Sequence, residues 1–216
     1  MEKWLPIHAA CINGHIELLE LLINFHYPEY LYSTYRDEEG IWEWRLPFDP
    51  NAQDVTGQTS LYIASILGNK ALVNVLVKWK VKARKTCAQS PQSNPITPTR
   101  KRISFGIQAI MSKLNISGDG EPAIKEESME CDKCPININL LCGAARETPL
   151  LAAVRGGFLD VVTVLLQNGA NPNIIAKPVE DHNDPKCIEE IYGLSNVPIA
   201  EACKQKSLQM VELLLK

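Results

Sequence analysis

Residues 148–173 read TPLLAAVRGGFLDVVTVLLQNGANPN, and the layout of this stretch decides the fold. Pro149 stands just after a threonine, at a first helical position where a missing N–H costs no bond. Ala153 comes one turn later, and a small residue there lets neighbouring helices approach closely. Gly157, after a further turn, accepts the left-handed backbone that ends a helix. Val161, Val162, Val164, Leu165 and Leu166 then form an apolar stripe with helical spacing. The pattern predicts two short helices over about 148–168. One such hairpin cannot bury both of its faces, so it has to stack on another copy.

Three more copies share the register. Counting from Pro6, Ser60, Pro149 and Pro198, a small residue follows four places on: Ala10, Ala64, Ala153 and Ala202. Eight places on stand Gly14, Gly68 and Gly157, with Lys206 the one departure. Apolar residues recur further along, as in Leu21-Leu22-Ile23, Val75-Leu76-Val77, Val164-Leu165-Leu166 and Leu213-Leu214-Leu215. This arrangement resembles the ankyrin repeat, with its Thr-Pro-Leu-His-x-Ala opening, Gly-His, Leu-Leu helix and Gly-Ala-Asx-x-Asn close. Thr148-Pro149-Leu150 with Gly169-Ala170-Asn171-Pro172-Asn173 is the fullest match, and the first copy retains His8 and Gly14-His15. The resemblance implies an all-α solenoid of four helical hairpins at about 6–24, 59–79, 148–168 and 197–215. It implies one ankyrin-repeat domain over 1–216, with repeat 1 at 1–24, repeat 2 at 51–79, repeat 3 at 135–173 and a truncated repeat 4 at 196–216. The break in mid-helix at Lys216 leads us to expect a fragment of a longer protein.

The anchors are spaced 54, 89 and 49 residues apart, whereas an ankyrin unit is ~33 residues. Insertions are therefore expected at 25–50, 80–134 and 174–195. The first holds eight of the fourteen aromatic residues. Ile41-Trp42-Glu43-Trp44-Arg45-Leu46 alternates with period two, and Asp37-Glu38-Glu39-Gly40 reads as a turn, so a β-hairpin is expected at about 29–46. Its aromatics either bind a partner, as Trp and Tyr do at interface hot spots, or pack the hairpin onto the repeats. The second insertion segregates charge. Residues 78–102 carry eight basic residues and no acid, and residues 119–132 carry six acids and one Lys. Its Ser/Pro/Gln/Asn-rich middle is expected to be a largely disordered linker. Ile107, Ile110, Met111 and Leu114 have the spacing of a short docking helix. Ser90-Pro91, Thr97-Pro98 and Ser104 after Arg100-Lys101-Arg102 have the form of kinase acceptor sites, which makes Ser90, Thr97 and Ser104 candidate phosphosites.

Composition removes several functional classes. A formal charge of −3 exerts no global pull toward nucleic acid or an anionic membrane. The basic run lacks an aromatic stacking platform, so nucleic acid is the disfavoured partner. No apolar run approaches the roughly 20 residues that span a bilayer, and the start lacks the form of a signal peptide. Seven unpatterned cysteines read as reduced thiols in an intracellular, cytoplasmic protein, with the nucleus as the alternative. Phosphate loops, dinucleotide fingerprints and nucleophile elbows are absent. Cys131-x-x-Cys134 lacks the second ligand pair that tetrahedral zinc requires, and His8, Cys11 and His15 are better read as structural. No catalytic, cofactor-binding or metal-binding residue is expected, and the segment reads as a non-enzymatic scaffold or signalling module.

The resemblance also implies where a protein partner would sit, in the groove formed by finger tips and the exposed side of the first helices. Those positions are Ile12, Asn13, Val55, Thr56, Gln58, Ile66, Leu67, Arg146, Glu147, Arg155, Lys204 and Gln205, with Trp42 and Trp44 on the finger at its edge. Exposed Ile66 and Leu67 point to cover by a partner or by the linker. The stretch from Asn51 to Lys78 and the interrupted last repeat also resemble the ankyrin region of leucine-rich-repeat Roco kinases. That second resemblance implies a regulatory, cis-docking role ahead of a GTPase and a kinase domain.

Overall fold

The computed structural model describes residues 6–85, 130–176 and 196–216. In chain order its elements begin with α1 (Pro6–Ile12), α2 (Ile16–Asn24), a 3₁₀ turn (Glu29–Leu31), β1 (Ser33–Arg36) and β2 (Trp42–Leu46). Then come α3 (Ser60–Ile66), α4 (Lys70–Lys78), β3 (Val81–Lys85) and β4 (Glu130–Lys133). The chain continues as α5 (Pro149–Arg155), α6 (Leu159–Gln167), α7 (Pro198–Lys204) and α8 (Leu208–Leu214). The described residues thus form eight helices and one four-stranded antiparallel sheet, ordered β1-β2-β3-β4. The expected all-α solenoid is corrected: the strands make one continuous sheet, a structural layer beyond the single finger foreseen for the first insertion.

The helices stack in two rows. In one row α1, α3, α5 and α7 are successive neighbours, and in the other α2, α4, α6 and α8 are. Ala10, Ala64, Ala153 and Ala202 are wholly buried in the first row, where a larger side chain would push the helices apart. The four hairpin turns close with the same backbone bond, from the residue after the left-handed position to the buried alanine carbonyl. The donors are His15, Asn69, Phe158 and Ser207, at 2.9, 3.1, 3.1 and 3.2 Å from Ala10, Ala64, Ala153 and Ala202. Gly14, Gly68 and Gly157 take φ of 71°, 67° and 72°, and Lys206 is held at 56°. The fourth turn therefore keeps its shape with a lysine, at a cost of about 1 kcal/mol for the left-handed conformation.

The two ends of the expected 80–134 linker are strands. Lys80 to Lys85 alternates, placing Ala83 in the core, while its charges meet an acidic partner strand. Arg84 lies opposite Glu130, with Nε 2.9 Å from Oε1, and Lys82 lies opposite Asp132. Trp44 stands between Tyr35 on β1 and Ala83 on β3. Aromatic contacts root this sheet on the repeats: Phe25 to Tyr27 at 4.8 Å and Tyr27 to Phe48 at 6.1 Å, both edge-on, and Phe48 to Trp79 at 5.9 Å, tilted, between ring centres. The candidate phosphosites Ser90, Thr97 and Ser104, the helix expected around Ile107 to Leu114, and most of the third insertion lie outside the described residues.

Candidate protein-interaction surface

Ile12, Ile66, Arg155 and Lys204 are the last residues of α1, α3, α5 and α7, so the stacking sets them in one column. Asn13, Leu67, Gly156 and Gln205 form the next column. The first half is apolar and open: Ile12 is 40 %, Ile66 42 % and Leu67 51 % exposed. Isolated apolar side chains at a surface are ordinary, but these recur at equivalent positions of adjacent repeats. The second half is basic. Lys204 is exposed, 3.9 Å from Glu201, and Gln205 donates to the Arg155 carbonyl at 3.0 Å.

Loop tips border the columns. Asp54 accepts from the Thr56 and Gln58 amides at 2.8 and 2.9 Å and from Thr56 Oγ1 at 2.7 Å. Burial alone would raise this carboxyl, but those hydrogen bonds outweigh it and hold Asp54 below the usual carboxylate range. The turn they build presents Val55 and Thr56 to solvent, while Gln58 is half-buried. On the next loop Arg146 is exposed with φ 46°. Glu147, expected to face a partner, is instead 5 % exposed and ion-paired with Arg155. Burial, and then the Glu147 carboxylate, push the Tyr62 phenol up to about 12. Glu147 thus positions Arg155 and fills the layer beneath the surface.

Trp42 is half-buried, and Trp44 is 6 % exposed inside the hydrophobic core. Both line a cleft of about 560 Å³ between the sheet and the loop that follows β4. Its acidic lip comes from the β1–β2 turn, where Asp37 Oδ1 accepts from the Trp42 amide at 3.0 Å and Glu38 Oε1 from Asn137 Nδ2 at 2.7 Å. The Lys133 ammonium sits 4.5 Å from the centre of the Trp42 ring. Burial, and then Asp49, raise the Tyr35 phenol. Tyr35 was among the aromatics expected in the hairpin, whereas Asp49 and Lys133 escaped the sequence reading, because nothing in the chain announces that the segment around Lys133 pairs back onto the sheet.

Asparagines fix the loops to one another. Asn51 Oδ1 accepts from the Asn137 amide at 2.7 Å, Asn51 Nδ2 donates to the Pro135 carbonyl at 2.9 Å, and Asn139 Oδ1 accepts from the Asn171 amide at 2.8 Å. The recurrent Asn-x-Asn was the available signal for this ladder. His8 acts the same way, with Nε2 3.1 Å from the Ala52 carbonyl and 3.2 Å from that of Gln58. Cys131 and Cys134 are free thiols, and burial raises the Cys134 thiol. Among the described residues no group of three or more His, Cys, Asp or Glu side chains is placed to hold a metal, and no helix is long and apolar enough to cross a membrane.

Ankyrin-repeat family models match residues 146–177 and residues 2–31. Together with the stacked helical pairs, these matches support an ankyrin-repeat protein, and such repeats are in general non-catalytic modules of protein–protein interaction. No curated protein matches the chain. Nothing in these comparisons supports a Roco-kinase origin.

Proposed function

We propose that the chain binds a protein partner along the column of first-helix ends, with the loop tips as one border and the sheet as the other. The observation that carries this reading is the run of open apolar residues Ile12, Ile66 and Leu67 continuing into basic Arg155 and Lys204. A matching segment presents apolar side chains toward α1 and α3 and carboxylates toward α5 and α7. Apolar anchors supply most of the affinity and charges at the rim set the register.

Peptides selected from a random display library on the 216-residue chain test the idea. Selected peptides should pair an apolar cluster with acidic residues. Ile66→Asp with Leu67→Asp should weaken them by roughly 10- to 100-fold, and the unfolding midpoint should stay put because both sites are exposed. Unchanged binding to that double variant would sink the proposal.

A further inference from the structure

We infer that the cleft beneath the β1–β2 turn is a second recognition site, which takes an arginine side chain from a partner peptide. Its wall is aromatic, formed by Trp42, Trp44 and Tyr35, and its carboxylates are Asp37 and Glu39 of the turn and Asp49 after β2, against two lining cations, Lys133 and Arg36, the latter paired with Glu43. A guanidinium fits this pairing better than other side chains, since it stacks flat on an indole while its fork of N–H groups reaches carboxylates. The molecule already shows the attraction, because Lys133 lays its ammonium over Trp42. Trp44 backs that wall from within the hydrophobic core, so the aromatic surface is held in place before a partner arrives. At about 560 Å³ the cleft has the size of ligand sites and room for backbone beside the side chain.

The inference rests on the reading of the chain as a protein-binding module, but it uses a different surface, so the two can fail separately. The test uses fluorescence polarisation with the whole chain and two labelled peptides, one with a central arginine among small residues and one with citrulline in its place. Citrulline keeps the shape and removes the charge. The arginine peptide should bind at least about tenfold tighter. Trp42→Ala and the pair Glu39→Gln with Asp49→Asn should each remove that preference. Lys133→Met should tighten binding severalfold by removing the competing ammonium from the Trp42 face, a gain that damage to the fold would not produce. Leu67→Asp should leave it unchanged, and loss of arginine binding in that variant would mean the peptide sits on the helix column instead. Equal binding of arginine and citrulline peptides, no binding up to about 1 mM, or weaker binding to Lys133→Met would each overturn the inference.

Discussion

Asp54 shows how one side chain sets a loop. Three hydrogen bonds converge on its carboxylate, and Asp54→Ala is expected to cost about 1–2 kcal/mol at neutral pH. The folded carboxyl is held low, so its contribution is present above the unfolded value of about 3.9 and is lost as pH falls through the lower folded one. Urea titrations of the two proteins should therefore differ at pH 7 and converge toward pH 2; a constant gap would refute the carboxylate's role. Asp54-Val55-Thr56-Gly57 is turn chemistry in any context, although only Val55, Thr56 and Gln58 of this loop were singled out from the sequence. The burial of Glu147 was not legible. Its neighbours in the chain suggest a solvated loop, and only the fold brings Arg155 over it.

Between elements, the turn of the third helical pair is locked against that of the second by a ring. A Cβ added at Gly156 would collide with Phe158, and one added at Gly68 would meet the same ring from the other side. Gly156 has an ordinary φ of −72°, so backbone freedom is not why a glycine is there. Gly156→Ala alone would otherwise stabilise by up to about 1 kcal/mol. Here it should destabilise by about 1–3 kcal/mol, with the penalty removed in a Phe158→Ala background. Thermal melts of the four proteins in that cycle decide it, and additive effects would exclude the ring as the cause. Helical pairs were readable because each repeats the same spacing of alanine and apolar residues, with proline at three of the four starts and glycine at three of the four turns. β3 and β4 were not, because their register depends on Arg84 meeting Glu130 and Lys82 meeting Asp132, and charges so far apart in the chain leave no periodic trace.

Across the whole molecule, stability is distributed by position in the stack. α4 and α6 bury Leu72, Leu76, Val161 and Leu165 between neighbours on both sides, whereas α2 exposes Leu18 and Leu21, and Leu208 of α8 and Leu215 just after it are exposed. Hydrogen exchange should be slowest in α4 and α6 and faster in α2 and α8; uniform protection would mean a single cooperative unit. The sheet has a further consequence. Arg84 and Glu130 face each other on adjacent strands, and the Ala176 amide donates to the Asn196 carbonyl at 3.0 Å. Residues 84 and 130 thus stand as one pair of doorposts, and residues 176 and 196 as another. With each pair of ends so held, lengthening the chain between them adds only slowly to the cost of closing it, so insertions at either place are expected to leave the spacing of the stack unchanged.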